Sequence, residues 1–131
     1  QEEEIMFKRV DHVEIITGNI DGSLDFYTNV LGFKLKERKK MSRPPLEEIV
    51  YVELGDTVVE FLAVANPAPV SNEPWQIKYR MMALEVEDMD RAIDYLKSKG
   101  VEPSVPPVSV GESNRAEIKD NNGSSIELRQ W

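Results

Sequence analysis

The sequence predicts an α+β fold built from two copies of a βαβββ unit around a small-molecule site. Three observations predict it. Stretches of alternating apolar residues and stretches with helical spacing follow one another in the same order twice. Anchor residues recur at matched separations: His12 to Gly32 spans 20 residues and Met81 to Gly100 spans 19, while His12 to Glu60 spans 48 and Met81 to Glu127 spans 46. A proline-rich stretch from Asn66 to Pro74 separates the two halves. An offset of about 68 residues, used twice, is too long and too few in copies for a solenoid, so two fused modules are the simpler reading. The expected organisation is a single domain over 1–131, with module one at about 8–65, a linker at about 66–76 and module two at about 77–131.

The elements follow in order. Residues 8 to 17 alternate as a strand. Residues 21 to 31 place Leu24, Tyr27 and Leu31 on one helical stripe, with Asp21 or Ser23 as cap and Gly32 at the stop. Three strands are expected at 33–40, 48–54 and 57–64, the last two joined by a turn at Gly55-Asp56. In the first of these, Lys34, Lys36, Arg38, Lys39 and Lys40 read as a solvated edge, where lysines discourage edge pairing, in preference to an anion-binding patch. After the linker, whose prolines exclude helix and central strand, residues 79 to 87 read as a strand. Residues 88 to 99 read as a helix burying Met89, Ala92, Ile93 and Leu96, and ending at Gly100. Strands are then expected at 104–110, 115–119 and 124–130, the first an edge because of Pro106-Pro107.

Composition narrows the function classes. A net charge of −8 argues against nucleic acid, which needs concentrated Lys and Arg. No run approaches the roughly 18 apolar residues of a membrane helix. Gln1 to Glu4, ahead of Ile5, lack the pattern of a secretory signal. The chain has no cysteine, which removes disulfides, thiolate metal sites and cysteine nucleophiles. A cytoplasmic location fits these features. A homodimer is expected, because strand edges and apolar rims need cover.

Strand parity sorts the chemistry. Val13 and Ile15 suit the helix side, leaving His12, Glu14 and Ile16 on the opposite face. Met82, Leu84 and Val86 likewise leave Met81, Ala83 and Glu85 opposite, and Ile126 and Leu128 leave Ser125, Glu127 and Arg129. Glu60 stands inside Val-Val-Glu-Phe-Leu-Ala-Val, where a carboxylate is costly to bury without a partner. His12, Glu60 and Glu127 together would suit Zn²⁺, Ni²⁺, Mn²⁺ or Fe²⁺. Tyr51 and Glu53 share a face and could line a pocket wall; Trp75 and Trp131 could anchor a module or dimer contact. Plainer readings stand beside these. His12 could be structural, Met81 is packing, and Glu127 could pair with Arg129 without any metal.

The segment His12-Val-Glu-Ile-Ile, the helix end Phe26-Tyr-Thr-Asn-Val-Leu-Gly-Phe33 and the run Asp120-Asn-Asn-Gly-Ser-Ser-Ile-Glu-Leu128 resemble the vicinal oxygen chelate superfamily. That superfamily includes glyoxalase I, methylmalonyl-CoA epimerase, fosfomycin-resistance enzymes, extradiol dioxygenases and bleomycin-resistance proteins. The resemblance runs from about residue 8 to 130. It implies paired βαβββ modules forming a half-open barrel, with metal ligands on the first and last strands of each module. By position, His12 matches the first ligand, Glu60 the second and Glu127 the fourth. The third falls on Met81, where the superfamily's enzymes commonly have histidine.

Two functions follow from the resemblance. In one, a divalent metal on His12, Glu60 and Glu127 chelates two substrate oxygens and stabilises an enolate-like intermediate, with Glu60 or Glu127 moving the proton. Tyr51, Met81 and Arg129 would then contact the substrate of a lyase or isomerase. In the other, no metal binds and the pocket sequesters a small molecule, as in bleomycin-resistance proteins. The missing histidine favours the second, and the three retained ligand types favour the first.

Overall fold

The computed structural model describes residues 5–71 and 73–131. Residues 1–4, read above as lacking a secretory signal, and Asn72 of the expected linker lie outside the described residues. The chain divides into two compact units, Gln1–Pro67 and Ala68–Trp131.

The first unit contains β1 (Val13–Thr17), a short helix α1 (Ile20–Leu24), a π-helical continuation (Asp25–Val30), β2 (Lys34–Arg43), β3 (Leu46–Leu54) and β4 (Thr57–Val64). The sheet order is β1-β4-β3-β2, with β1 parallel to β4 and the other pairs antiparallel. The second unit repeats it: β5 (Met82–Glu85), α2 (Met89–Ser98), β6 (Val105–Val110), β7 (Ser113–Lys119) and β8 (Ser125–Gln130), in the order β5-β8-β7-β6. The duplicated βαβββ pattern read from the sequence is therefore the pattern of the fold.

Each sheet buries the face that alternation assigns to it. In the first unit Val50, Val52, Val59 and Phe61 are fully buried, and Tyr27 packs its ring edge against Phe61 at 4.8 Å and Phe33 at 5.5 Å. In the second, Ala116, Ile118, Ile126 and Leu128 are buried, as are Met89, Ile93 and Leu96 of α2. Asp88 caps α2 by accepting from the Arg91 amide at 3.1 Å. Both strands expected at edges are edges, β2 with its exposed lysines and β6 with its two prolines, where the register to β7 shifts between Val105 and Val108.

Four local readings need correction. β1 begins at Val13, not at residue 8, because Lys8 to Asp11 have no strand neighbour on which to continue the ladder. The cap of α1 is Asn19, whose side chain accepts from Gly22 N at 2.9 Å, rather than Asp21 or Ser23. The Ser23 hydroxyl is instead buried at 2.8 Å from Thr17 Oγ1. The wider π turn advances the buried stripe, so Phe26 and Tyr27 are both inside while Leu31 is only half-buried. β5 is short, and Met81 lies just before it rather than within it.

Candidate functional site

Glu60 occupies the middle of β4, with Glu14 of β1 and Tyr51 of β3 as its direct cross-strand partners. Their neighbours Val59 and Phe61 are buried in the core, so alternation turns Glu14, Glu60 and Tyr51 to the opposite face. His12, two residues ahead of Glu14, reaches the same face. Its Nε2 lies 3.1 Å from Glu60 Oε1 and 3.3 Å from Glu14 Oε2. Its Nδ1 lies 2.9 Å from Asp11 Oδ2. The imidazole stands edge-on to the Tyr51 ring, with centroids 6.1 Å apart. Glu60 is buried, at 6% exposure, while Glu14 is exposed.

The electrostatics follow from these contacts. The hydrogen bond to Asp11 is the main cause that raises the His12 pKa above the ordinary imidazole value; burial opposes it, and Glu14 and Glu60 add to it. The same bond holds Asp11 below the usual carboxylate range. Glu60, as hydrogen-bond acceptor and as charge, pushes the Tyr51 phenol up.

One imidazole nitrogen and two carboxylate oxygens, from His12, Glu14 and Glu60, lie within 4.8 Å of one another. Three N and O donors with free positions beyond them are a set that borderline divalent cations accept. Asp11 on Nδ1 would fix the imidazole tautomer that leaves Nε2 as the ligating nitrogen, the usual outer support of a metal-bound histidine. The residues present thus fit a divalent cation.

Of the residues singled out from sequence, the first unit brings together His12 and Glu60 with Tyr51 beside them. Met81, Glu127 and Arg129 belong to the second unit. Both oxygens of Glu127 are engaged there. Oε1 accepts from Arg115 Nε at 2.9 Å and lies 2.8 Å from its Nη2; Oε2 accepts from Arg129 Nε at 3.1 Å and lies 3.0 Å from its Nη2. Arg115 also donates to Glu117 at 2.7 Å, and Arg129 to the Ser113 hydroxyl at 3.1 Å. Burial pushes the Glu127 carboxyl up, but the two guanidiniums outweigh it and hold the group low. The plainer reading of Glu127, an ion pair with Arg129, is present with Arg115 as a second partner. Met81 is half-buried, and Ala83 is the β5 residue opposite Glu127. A polar cavity of about 330 Å³ in the second unit, lined by Asp88, Ser109, Asn114 and Gln130 among others, contains none of these residues.

Sequence reasoning placed Glu14 on the right face but did not promote it to a ligand, and it missed Asp11 and Arg115. The available signal was Asp11-His12-Val13-Glu14 itself, an acid on each side of the chain's one histidine.

A family model described as the Glyoxalase/Bleomycin resistance protein/Dioxygenase superfamily matches residues 9–128. The chain is 32% identical over 126 residues to a lactoylglutathione lyase of Neisseria meningitidis serogroup B, covering 93% of this chain and 90% of that one. It is 27% identical over 130 residues to the human mitochondrial methylmalonyl-CoA epimerase, covering 93% and 73%. A crystal structure of a glyoxalase family protein from Enterococcus faecalis superposes with a TM-score of 0.84 at 23% identity, covering 95% and 99%.

Proposed function

The chain belongs to the Glyoxalase/Bleomycin resistance protein/Dioxygenase superfamily, and from that membership we propose that it is a divalent-metal-dependent lyase or isomerase. Its substrate is a small molecule that presents two neighbouring oxygens and carries a proton next to a carbonyl. The observation that carries this reading is His12 Nε2 within 3.3 Å of two carboxylates, with Asp11 on the other ring nitrogen. The names of the relatives support it, since lactoylglutathione and methylmalonyl-CoA both have an acidic C–H beside a thioester carbonyl.

His12 and Glu60 would hold the cation. When bound, the metal supplies a Lewis acid that polarises the substrate oxygens. Glu60 is the residue best placed to move the proton, because it is buried within the group and, among the described residues, its ion-pair partner is His12 and not a guanidinium. Glu127 is a poorer base: its two arginines favour the charged form and so weaken its hold on a proton. Tyr51 beside Glu60 forms part of the substrate wall. The same reading takes the protein as a cytoplasmic homodimer with a small-molecule substrate. Among the described residues no helix is long and apolar enough to cross a membrane.

A second reading, a metal-free small-molecule binder, is favoured by Met81 in place of a histidine and by the arginines on Glu127. Proton exchange separates the two. Metal-stripped protein reconstituted with Zn²⁺, Ni²⁺ or Mn²⁺ should exchange the C–H of S-lactoylglutathione or methylmalonyl-CoA for deuterium, as followed by NMR. The exchange should vanish in His12→Ala and Glu60→Gln. If neither thioester exchanges with any of the three metals while either compound still binds, the sequestration reading stands instead.

A further inference from the structure

We propose that Glu14 is the third protein ligand of the cation, so that a complete three-ligand site is built by the first βαβββ unit alone and Glu127 takes no part in it. The proposal rests on the metal reading above and deepens it.

The internal duplication supplies the comparison. Glu14 pairs with Glu60 across parallel strands β1 and β4, and Ala83 pairs with Glu127 across the equivalent strands β5 and β8. Position by position, His12, Glu14 and Glu60 in the first unit stand where Met81, Ala83 and Glu127 stand in the second. The first set offers an imidazole and two carboxylates. The second offers a thioether, a methyl group and one carboxylate. Thioether is a poor ligand for hard or borderline divalent ions, and a methyl group is none.

The remaining carboxylate is already spoken for. Glu127 receives four guanidinium contacts between 2.8 and 3.1 Å, two on each oxygen. To reach a cation it would have to give up charge-assisted bonds, which are the strong ones. It would also leave Arg129 with only the Ser113 hydroxyl among its polar partners in the described residues. Glu14 has the opposite situation. It directly faces a second carboxylate across the strand pair, a like-charge pairing in which the His12 imidazole stands 3.3 Å from one and 3.1 Å from the other and which a bound cation would relieve when that imidazole is neutral. Among the described residues its ion-pair partner is His12, at 3.3 Å. The two-residue step from His12 to Glu14 keeps both on one face, and Glu60 completes the set within 4.8 Å.

The test is calorimetric titration of the metal-stripped, full-length protein with Zn²⁺. The wild-type chain should bind one Zn²⁺. Glu14→Gln should weaken it at least about tenfold, the scale of losing a group that holds or orients a metal. Glu127→Gln and Met81→His should each stay within about twofold of wild type, since residues without a shared partner act independently. Met81→His guards against the chance that Glu127→Gln disturbs the fold, because it leaves the arginine network untouched. Weakening by Glu127→Gln, or tightening by Met81→His, with Glu14→Gln unchanged would overturn the proposal and place the ligands on both units, while the metal reading survived. No Zn²⁺ binding by the wild-type chain, or binding indifferent to His12→Ala, would overturn the metal reading and this proposal together.

Discussion

His12 is the only histidine in the sequence, so its protonation can be followed without assignment. Asp11 first, then Glu14 and Glu60, raise its pKa above 6.5 in the fold. A raised folded pKa means that the charged imidazole favours folding below the ordinary value, and that this contribution disappears as pH rises through the folded value. Cation binding runs the other way, because a ligand nitrogen must be neutral. The ring-proton NMR titration of the metal-free protein should therefore have its midpoint above 6.5, and Asp11→Asn should bring it down. Zn²⁺ affinity should climb through that midpoint and level off above it. A midpoint at or below 6.5, or an affinity indifferent to pH, would take His12 out of the site. At this scale the sequence exposed the unusual residues and hid the ordinary ones. Glu60 stood out because an acid interrupts an apolar run, and His12 because nothing else in the chain is a histidine. Glu14 looked like any polar residue on the wet face of a strand, and Arg115 like any strand arginine. Their partners come from other strands, and only the register of β1 with β4 and of β7 with β8 supplies them.

The elements were legible where side-chain period alone decides them. Strands β3, β4 and β8 and helix α2 lie within a few residues of their expected limits, because each has a buried face to set its parity. Edge strand β2 is exposed along nearly all its length and is fixed by its pairing with β3. The misses came where tertiary context decides. The π turn after α1 shifts the buried stripe onto Phe26 and Tyr27 and leaves Leu31 half-buried, a change of period that the sequence pattern did not show. Residues 8–12 and 79–81 alternate correctly yet have no partner strand to pair with. Edge strand β2 illustrates what pairing adds. Its lysines are solvated as expected, but Arg38 reaches Glu48 of β3 with two bonds, at 2.6 and 3.0 Å. Glu48 is buried, and the Arg38 hydrogen bond is the chief cause that lowers its pKa. A depressed folded pKa gives stability that is present above the unfolded value of about 4.5 and is lost as pH falls through the folded one. Arg38→Ala should thus cost about 2 kcal/mol near neutral pH, less than the roughly 3–5 of a fully buried pair. The discount reflects the partial solvation of Arg38 and the Lys40 ammonium that remains 3.5 Å from Glu48. Urea unfolding at pH 7 and pH 3 would show it as a wild-type advantage that shrinks in acid. An advantage of equal size at both pH values would mean that Arg38 stabilises through its aliphatic stem instead.

At the scale of the whole molecule, the duplication repeats an exposed apolar segment as well as a fold. Ile5, Met6, Phe7 and Val10 precede β1, and Trp75, Ile77 and Tyr79 precede β5 at the equivalent place in the second unit; all seven are at least three-quarters exposed. Each segment leads into the terminal strand of its sheet. Scattered single apolar residues on a surface need no explanation, but grouped ones mark an association site. Both copies of the βαβββ unit carry the feature, so a second chain offers the same two surfaces in return, the condition for a closed twofold contact. The protein should therefore be a homodimer of 15.0 kDa chains in light scattering, at concentrations on the order of tens of micromolar. Phe7→Asp with Ile77→Asp should shift it to monomer while circular dichroism stays unchanged, because neither side chain is buried within the chain. If the wild-type protein runs as a monomer at those concentrations, the two apolar segments must be covered by something other than a second copy. If it is a dimer that the paired aspartates do not disturb, the interface lies elsewhere on the two units.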